Sequence, residues 1–592
     1  MVKKILEASI RKALKTVGSG EDRIVDIILE HPENNSLGDY STNVAMALAK
    51  KLKLNPVELA NKIVFKIRNE KPEVVDRIEV AGPGFINFYL VRNFFSQQIK
   101  EITRSGDRYG NNNNLRGQRT VIEYTDPNPL KEFHIGHLMS NSIGESISRI
   151  IEANGARVIR ACYQGDVGLH IAKAIKGYLL LEERLGARES VNISLGGENM
   201  DVSLPKQEDG LIKKAKFLGI AYAYGAQWYE DNKEEVQKLN KIIFERTDKR
   251  INEIYDRTRK WSLDYFDYMY KILGTKFDNF FFESETYTIG KELVGKNIEK
   301  GIFDKSDGAV IFRGEKYGLH TRVFINSEGL PTYEAKELGL SKLKFDKLNY
   351  DKSIVITGNE INDYFKVLLK VMSLVYPDLA EKTVHLSHGM LRLPTGKMSS
   401  RTGKVVTVLS LLHDVEKRIM DKMEGRNIDK LEKKQIAEKV AVGALKYSIL
   451  RQVTGKDIIF DFDKSLSFEG DSGPYLQYAY TRAMSVLKKV PLGTKILSFV
   501  SLGKAPKEAF ELEKKLYVYK EVVERSAQEY SPNFIATYLI ELSSIFNNFY
   551  ANEKILDKSD PYSIYKISLT KAFSVVMKNG LKLLGIETVG RM

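Results

Sequence analysis

The sequence predicts an α/β protein in which a parallel-sheet domain is flanked by a small N-terminal α/β unit and an all-helical C-terminal domain. Three patterns support this prediction: a β-α-β succession over 119–163, further strand-like segments at 353–358 and 384–391, and helical periodicity beyond about residue 430. A chain of 592 residues is too long for one hydrophobic core, so several domains are expected. We place them at 1–112, 113–430 and 431–592.

Composition narrows the class of protein. Hydrophobic residues make up 43% and charged residues 28%, which is typical of a globular chain and not of a disordered one. The net charge of +14 suits a surface that faces a polyanion, although a lysine-rich composition would explain it equally well. One cysteine, Cys162, excludes a disulfide framework and a zinc site built on paired cysteines. Because no signal peptide or long apolar run occurs, we expect a cytoplasmic protein without a membrane span.

The first hundred or so residues predict a small α/β unit. An amphipathic helix begins the chain, with Leu6, Ile10, Leu14 and Val17 on one face. The segment RIEVAGPGFINFYL at 77–90 predicts a strand that follows a Gly-Pro-Gly turn. A polar Asn-Gly stretch at 110–118 then indicates a linker.

The β-α-β succession begins with the β-branched segment RTVIEYT and ends with RVIRACY at 157–163. Between them lies a helix in which Ile143, Ile147 and Ile151 recur at four-residue spacing and which Asn154-Gly155 ends. Such a unit belongs in a parallel sheet, whose ligands bind at the carboxyl ends of the strands. Residues 183–300 are expected to form an insertion of helical character.

Helical periodicity identifies the C-terminal domain. It predicts helices within four segments: 439–452, 475–490, 534–550 and 570–585.

The first chemical motif is DPNPLKEFHIGHL at 126–138, between the first strand and its helix. His134 and His137 lie three residues apart at the helix N-terminus, where they can face a triphosphate. Gly136 lets the backbone approach a nucleotide. A histidine pair at an ordinary helix cap is the alternative, and the position directly after a strand makes the functional interpretation stronger.

The second motif is the Gly-bounded loop GMLRLPTGKMSSRTGK at 389–404. Lys397, Ser399 and Ser400 could close over pyrophosphate and stabilise the charge that builds on a leaving group. A solvated basic turn is the alternative, and it is the commoner explanation of an isolated Lys-Ser run. Together the two motifs are far more specific than either alone.

These motifs resemble the two signatures of class I aminoacyl-tRNA synthetases, a His-Ile-Gly-His motif and a downstream Lys-Met-Ser-Lys-Ser loop. EYTDPNPLKEFHIGHL, YQGDVG at 163–168, DSGPYLQYAYTRAMSVL at 471–487 and LKLLGI before a terminal Met592 resemble the arginyl family in particular. The resemblance implies a Rossmann-type catalytic domain, an N-terminal tRNA-contacting domain and a helical anticodon-binding domain. It implies an arginine–tRNA ligase that uses ATP, with Mg²⁺ on the phosphates, and that binds tRNA(Arg) before it activates L-arginine. We expect a monomer.

The resemblance also assigns residues to ATP. These are Lys131, His134, Gly136, His137, Gly358, Gly389, Met390, Lys397, Ser399 and Ser400. The second lysine of the family's loop is replaced here by Ser400. Because a Coulombic role needs a cation near the phosphates and not a particular chain position, we predict that Lys131 supplies the missing charge.

Arginine presents a planar guanidinium with five donors, so its pocket must be acidic. By resemblance, the residues that contact arginine are Glu123, Asn128, Asp166, Tyr333, Glu337 and Glu360. Glu337 stands where the family usually has Asp. For each acid taken singly, a solvated or capping carboxylate is the alternative.

On one predicted helix, Tyr475, Tyr478 and Arg482 recur at helical spacing and could stack bases and pair with phosphates. An aromatic stripe of this kind is more often core, which is the alternative. By resemblance, Phe546, Met592 and Asn87 would also contact tRNA, and a buried strand asparagine is the alternative for Asn87.

Other functions compete with this one. A class I synthetase for cysteine is disfavoured by the single cysteine, and one for glutamate by the acidic positions. A lysine enzyme stays open, as does an RNA-binding adaptor without catalysis, although the intact His134, His137 and Lys397 disfavour the adaptor. A nucleotidyltransferase would leave the helical C-terminal third unexplained.

Overall fold

The computed structural model describes residues 2–16, 26–70, 72–392, 407–491 and 502–592. The chain divides into two compact units. Unit 1 consists of Met1–Tyr109, Arg482–Lys520 and Glu541–Met577. Unit 2 consists of Gly110–Thr481, Glu521–Ile540 and Lys578–Met592. Within the described ranges, no helix has both the length and the apolar character that a bilayer span requires.

The N-terminal part of unit 1 combines helices with a three-stranded antiparallel sheet of order β1-β3-β2. Its strands are β1 Tyr40–Thr42, β2 Val75–Ala81 and β3 Phe85–Leu90. Its helices are α1 Val2–Thr16, α2 Val44–Leu52, α3 Pro56–Glu70 and α4 Arg92–Ser105. The predicted first helix is confirmed, with Leu6, Ile10 and Leu14 buried, while Val17 lies outside the described residues. The predicted strand is β3, and the residues before the turn form β2.

Unit 2 is built on a parallel sheet of order β13-β12-β4-β5-β8. Its strands are β4 Arg119–Glu123, β5 Arg157–Gln164, β8 Asn279–Phe282, β12 Lys352–Gly358 and β13 Thr383–His388. Val121, Ala161 and Ile354 are fully buried, as expected for a sheet covered on both faces. The predicted β-α-β succession is confirmed, with α5 Ile135–Ala153 between β4 and β5 and Asn154 as its C-cap.

Smaller strands and many helices surround this sheet. The strands are β6 Val191–Leu195, β7 Glu198–Val202, β9 Asp304–Ser306, β10 Ala309–Phe312, β11 Arg322–Ile325, β14 Leu391–Arg392 and β15 Ile458–Ile459. The helices up to residue 382 are α6 Leu169–Leu185, α7 Leu211–Tyr229, α8 Lys233–Glu245, α9 Lys249–Ile272, α10 Glu283–Ile298, α11 Tyr333–Leu348, α12 Asn362–Val375 and α13 Pro377–Lys382. The later helices are α14 Val408–Lys422, α15 Lys430–Leu450, α16 Phe462–Ser465, α17 Gly473–Lys488, α18 Glu511–Tyr517, α19 Tyr519–Gln528, α20 Asn533–Asn552 and α21 Ser563–Leu583.

The helical C-terminal segments are confirmed as parts of α15, α17, α20 and α21. The region 183–300 differs from its helical prediction in two respects. Helices α7, α8 and α9 form there, but β6 and β7 form an antiparallel pair, and Asn279–Phe282 joins the central sheet beside β5. A four-residue aromatic run carries no alternation, so its periodicity could not distinguish a sheet strand from helix. Leu391–Arg392 also leaves the central sheet and pairs with β15.

Two glycines bring α6 and α7 unusually close. A Cβ on Gly177 would lie 1.8 Å from the carbonyl oxygen of Ala221, and a Cβ on Gly225 would lie 1.8 Å from that of Lys173. Any larger side chain at either position would collide with backbone, which cannot move without displacing a whole helix. The pair therefore sets the register of α7 against α6.

We expect Gly177→Ala to lower the free energy of unfolding by about 1–3 kcal/mol, because the added methyl group overpacks the crossing. The matched control is Gly295→Ala in α10, where a Cβ would meet nothing within 4 Å. That change should be neutral or stabilising by about 1 kcal/mol, since alanine favours helix. Thermal melts of the two variants test this, and equal midpoints would contradict the close crossing.

Candidate active site

The turn between β4 and α5 is strained. Thr125, Asp126 and Leu130 have φ values of 80°, 45° and 64°, in the left-handed region that side chains with a Cβ rarely adopt. The turn is held by α5, because the Thr125 N–H donates to Ser140 Oγ at 2.9 Å and Asn141 Nδ2 donates to Thr125 Oγ1 at 3.0 Å. Such strain persists where surrounding contacts over-determine it, which is common at functional sites.

His134 and His137 begin α5. His134 is the N-cap, and its Nδ1 accepts from the Gly136 N–H at 3.1 Å, while His137 Nδ1 accepts from the His134 N–H at 3.2 Å. Both Nδ1 atoms are acceptors, so the proton of each neutral ring lies on Nε2. Burial and then the charge of Lys131 lower the pKa of His134 to about 4, and burial also lowers the pKa of His137 well below 6.5. The two histidines are therefore neutral hydrogen-bond donors near pH 7.

A cleft of about 1540 Å³ opens beside these histidines, and Lys131, His134, Tyr222 and Thr407 are among the residues that line it. Thr407 pairs with His134 as an isolated β-bridge, and the Val408 N–H donates to the Phe133 carbonyl at 3.0 Å. The predicted residues Lys397, Ser399 and Ser400 lie outside the described residues. Thr407 is the first described residue after these positions, and it pairs with His134 at the N-terminus of α5.

Other predicted ATP residues lie at the carboxyl ends of β12 and β13. Gly358 ends β12, and a Cβ there would meet Glu360 Oε2 at 2.2 Å. Gly389 follows β13, and a Cβ there would lie 2.3 Å from the backbone of Lys456. Met390 is 36% exposed, and its N–H donates to Asp457 Oδ1 at 2.9 Å. Packing against backbone therefore restricts position 389 to glycine, whereas the Glu360 side chain near Gly358 could move away.

Four carboxylates cluster at the same edge of the sheet. Glu123 is buried in an ion pair with Lys344 at 2.6 Å, and Glu283 is buried in an ion pair with Lys336 at 2.5 Å. Burial raises the pKa of Glu283 above 4.5 even with this partner. Two of the acids in this cluster are thus neutralised by the protein's own lysines.

The other two acids of the cluster are Asp126 and Glu337. Within the described part of the chain, neither forms an ion pair. Asp126 Oδ1 accepts from the Tyr163 N–H at 2.7 Å. Burial and then repulsion from Glu123 raise the pKa of both carboxyls well above their usual values. A cationic ligand beside these carboxyls would stabilise their ionised forms and so reduce the electrostatic cost of burying them.

Asn128 and Tyr333 border this cluster, whereas Asp166 is already occupied. Asn128 Oδ1 accepts from the Gly165 N–H at 3.0 Å, and Tyr333 lies one turn before Glu337 on α11 with 44% of its surface exposed. The Asp166 carboxylate accepts from Ser284 N–H and Oγ, from Arg259 Nε at 3.0 Å and from Tyr255 OH. Three of these donors bind Oδ2 and one binds Oδ1, so the protein's own groups already orient this carboxylate.

Comparison with protein families gives three matches along the chain. Residues 98–462 match the model of the class I arginyl-tRNA synthetase catalytic domain, residues 4–90 match the arginyl-tRNA synthetase N-terminal domain, and residues 476–592 match the DALR anticodon-binding domain. The first of these covers more than half of the chain. The chain belongs to the arginyl-tRNA synthetase family.

Individual relatives agree with this membership. The chain is 30% identical to the arginine–tRNA ligase of Borrelia hermsii over 606 residues, covering 100% of this chain and 99% of the relative. It is 31% identical to that of Treponema denticola, covering 94% and 93%. The fold is similar to the Thermus thermophilus arginyl-tRNA synthetase, with a TM-score of 0.79 and 24% identity over the whole of both chains. This synthetase is accordingly an arginine–tRNA ligase with a class I catalytic domain.

The residues that we predicted to contact tRNA are placed in different surroundings. In unit 2, Tyr475 and Tyr478 are half-buried on α17, Tyr478 lies 6.5 Å edge-on from Phe468, and Met592 is half-buried at the end of the chain. In unit 1, Arg482 Nη1 donates to Asn547 Oδ1 at 2.6 Å.

Phe546 and Asn87, both in unit 1, are buried. Phe546 is fully buried and stacks on Phe573 at 3.7 Å, so no face of its ring is open to a base. Asn87 is buried on β3 and its Oδ1 accepts from Ser41 Oγ at 2.7 Å. Asn87 therefore has the buried, satisfied surroundings that we gave as the alternative interpretation.

Four residues of this synthetase's acidic cluster are not predicted by the sequence: Asp126, Glu283, Lys336 and Lys344. Asp126 lies in Asp-Pro-Asn-Pro, a pattern typical of a turn. Glu283 follows β8, the strand that the sequence does not predict, and an acid after a short aromatic run is its only signal. Neither lysine gives a signal, since a lysine on a helix is usually solvated.

The roles of His134 can be separated by substitution. We expect His134→Asn to keep the N-cap, since asparagine accepts from the same backbone N–H groups, and His134→Ala to lose about 1 kcal/mol of stability. Both changes remove the Nε2–H donor, so both should lower adenylation on the order of 100-fold. Thermal melts and ATP–pyrophosphate exchange measure the two effects. Full activity in the asparagine variant would show that His134 acts as a cap alone.

Proposed function

We propose that the acidic cluster binds the guanidinium of L-arginine while the N-terminus of α5 binds ATP, so that arginine is activated and then joined to tRNA(Arg). The observation that supports this best is the charge imbalance: among the described residues, neither the buried Glu337 nor the half-buried Asp126 forms an ion pair, and burial raises the pKa of both carboxyls. A pocket with that imbalance favours a cation such as guanidinium over a neutral or acidic side chain.

On the ATP side, the Nε2–H groups of His134 and His137 donate to phosphate oxygens, and Lys131 supplies positive charge. Gly136 brings the backbone close, and Gly358, Gly389 and Met390 surround the nucleotide. The segment that carries Lys397, Ser399 and Ser400 contacts the pyrophosphate. Among the described residues, no cluster of His, Cys, Asp and Glu could hold a metal ion. Magnesium, when bound, would be held mainly by the phosphates and would neutralise part of their charge.

The chemistry then needs little beyond positioning and charge. A carboxylate oxygen of arginine attacks the α-phosphorus, the bond from that phosphorus to the bridging oxygen breaks, and pyrophosphate leaves with the electron pair. The terminal ribose hydroxyl of tRNA next attacks the carbonyl carbon of the adenylate, loses its proton, and AMP leaves. Neutral histidines suit the first step because they donate hydrogen bonds to charge that increases in the transition state.

On the arginine side, Glu337 and Asp126 pair with the guanidinium, and the Glu123–Lys344 ion pair lies beside them. Tyr333 packs against the side chain of arginine. Two further contacts are proposed, from Asn128 and Glu360. We assign Asp166 an indirect role, in which it orients Arg259 and the start of α10.

For tRNA, we propose that Tyr475, Tyr478, Arg482 and Met592 contact the anticodon loop and that residues near Asn87 contact the tRNA core. Phe546 would act through packing. In this proposal, the domain at 1–112 binds the tRNA core, the domain at 113–430 carries out catalysis, and the domain at 431–592 binds the anticodon. We further propose that tRNA is bound before adenylation and that the synthetase is a cytoplasmic monomer.

The central test is ATP–pyrophosphate exchange with each amino acid in turn, run with and without tRNA. We expect exchange with arginine alone, and only in the presence of tRNA. Exchange with another amino acid would contradict the acidic pocket, and tRNA binding without any exchange would favour an adaptor.

A second test concerns the charge of Lys131. We expect Lys131→Ala to lower the exchange rate by about 10- to 100-fold, because one cation facing the phosphates is lost. The control is Lys238→Ala, which removes an exposed lysine of α8 and should leave exchange unchanged. Equal rates in the two variants would mean that Lys131 does not replace the missing lysine of the loop.

A third test uses pH. Burial raises the pKa of Asp126 and Glu337 well above their usual values, so both carboxyls bind protons at a higher pH than such groups ordinarily do, and a guanidinium binds their ionised forms. Arginine affinity should therefore rise as pH rises through those values, by at most about tenfold per pH unit for each proton released. Titration calorimetry between pH 5.5 and about 8 measures this.

Glu337→Gln should flatten the pH dependence and weaken binding, whereas Glu328→Gln, at an exposed turn, should do neither. Affinity that stays constant with pH in the unsubstituted synthetase would contradict the proposed pocket.

A further inference from the structure

Helix α7 belongs to the insertion at 183–300, to which no part of the function has yet been assigned. Its position is fixed by the crossing of Gly177 and Gly225, where α6 and α7 are in backbone contact. Helix α6 in turn begins directly after β5 and the Asp166 turn. The central sheet therefore determines, through α6, where the residues of α7 lie.

One face of α7 contacts Lys131 and Glu132, which lie shortly before His134 in the sequence. The ring of Tyr222 lies 4.4 Å from Lys131 Nζ, a cation–π distance. One turn earlier, Gly219 makes room for Glu132, since a Cβ there would lie 2.9 Å from Glu132 Oε2. The sequence pattern predicts neither contact, because each joins two segments that lie about ninety residues apart.

The Lys131 ammonium forms no ion pair in the described ranges of the chain, because no described acid lies within ion-pair distance of it. A free lysine side chain populates many rotamers, and ordering one costs up to about 2 kcal/mol. An ion pair would order Lys131 but would also neutralise the charge that the phosphates need. An aromatic face orders the ammonium and leaves its charge intact.

We propose that Tyr222 is a positioning residue for ATP activation: its ring holds the Lys131 ammonium beside the N-terminus of α5, so that α7 takes part in the reaction. This deepens the proposed function and rests on it. Tyr222 touches no reacting atom and acts through Lys131 alone. The insertion thereby contributes to catalysis through the ring of Tyr222, which positions the lysine that replaces the missing lysine of the downstream loop.

The test combines substitutions at both positions. We expect Tyr222→Leu to lower the rate of ATP–pyrophosphate exchange by about 2- to 30-fold, the range that a cation–π contact contributes. The loss should fall on kcat, with the KM for ATP changing less than about twofold, because the charge acts mainly on the transition state. Tyr222→Phe keeps the aromatic face and should exchange at nearly the unsubstituted rate.

The control for packing is Tyr224→Leu, on the same helix and against the same hydrophobic cluster. It should change the thermal midpoint as much as Tyr222→Leu does but leave exchange unaltered. In a Lys131→Ala background, Tyr222→Leu should cost nothing further, since the residue acts through Lys131. If Tyr222→Leu does not fold, Tyr222→Met repeats the measurement with a flexible side chain of similar volume.

Three results would overturn the inference: unchanged exchange in Tyr222→Leu, an equal loss in Tyr222→Phe, or a full additional loss in the Lys131→Ala background. Each of these requires that the unsubstituted synthetase exchanges with arginine and tRNA. Absence of that exchange would instead overturn the proposed function, so the two failures are distinguishable.

Discussion

Burial of acids at the carboxyl edge of the parallel sheet is the constraint around which unit 2 is organised. Glu123 and Glu283 are tolerated there because Lys344 and Lys336 pair with them. Loss of one partner from a buried pair costs about 3–5 kcal/mol, so these lysines are as necessary as the acids. Both lysines and Glu337 come from α11, which means that one helix supplies the neutralising charges and one of the acids left uncompensated.

The acidic cluster and the start of α5 differ in the kind of charged group that each can bind. Carboxyl groups are concentrated where β4, β5, β8 and α11 meet, away from the start of α5. At the start of α5, burial holds His134 and His137 neutral, which leaves the helix N-terminus and Lys131 as the sources of positive potential. Under the proposed function, the acidic cluster binds the cationic side chain of arginine and the start of α5 binds the anionic phosphates.

For several residues the side-chain type is compatible with more than one role, and burial shows which contacts the side chain makes in the structure. Phe546 and Asn87 have side chains that could contact RNA, yet one stacks in a core and the other is satisfied by Ser41. The Asp166 carboxylate, which we predict to contact arginine, accepts hydrogen bonds from Arg259, Ser284 and Tyr255. Residue type alone could not separate these cases, because the same side chain serves either role depending on what surrounds it.

The sequence by itself determined the order of β4, α5 and β5, the helical C-terminal segments and the location of His134 and His137, because periodicity and caps are local properties of the chain. Only the tertiary structure decided that β8 completes the sheet, that Asp126 and Glu337 form no ion pair with any described residue, and that Tyr222 contacts Lys131. These features depend on contacts between segments distant in sequence, where a shift of one helix would change every distance. Local pattern carries no information about such contacts.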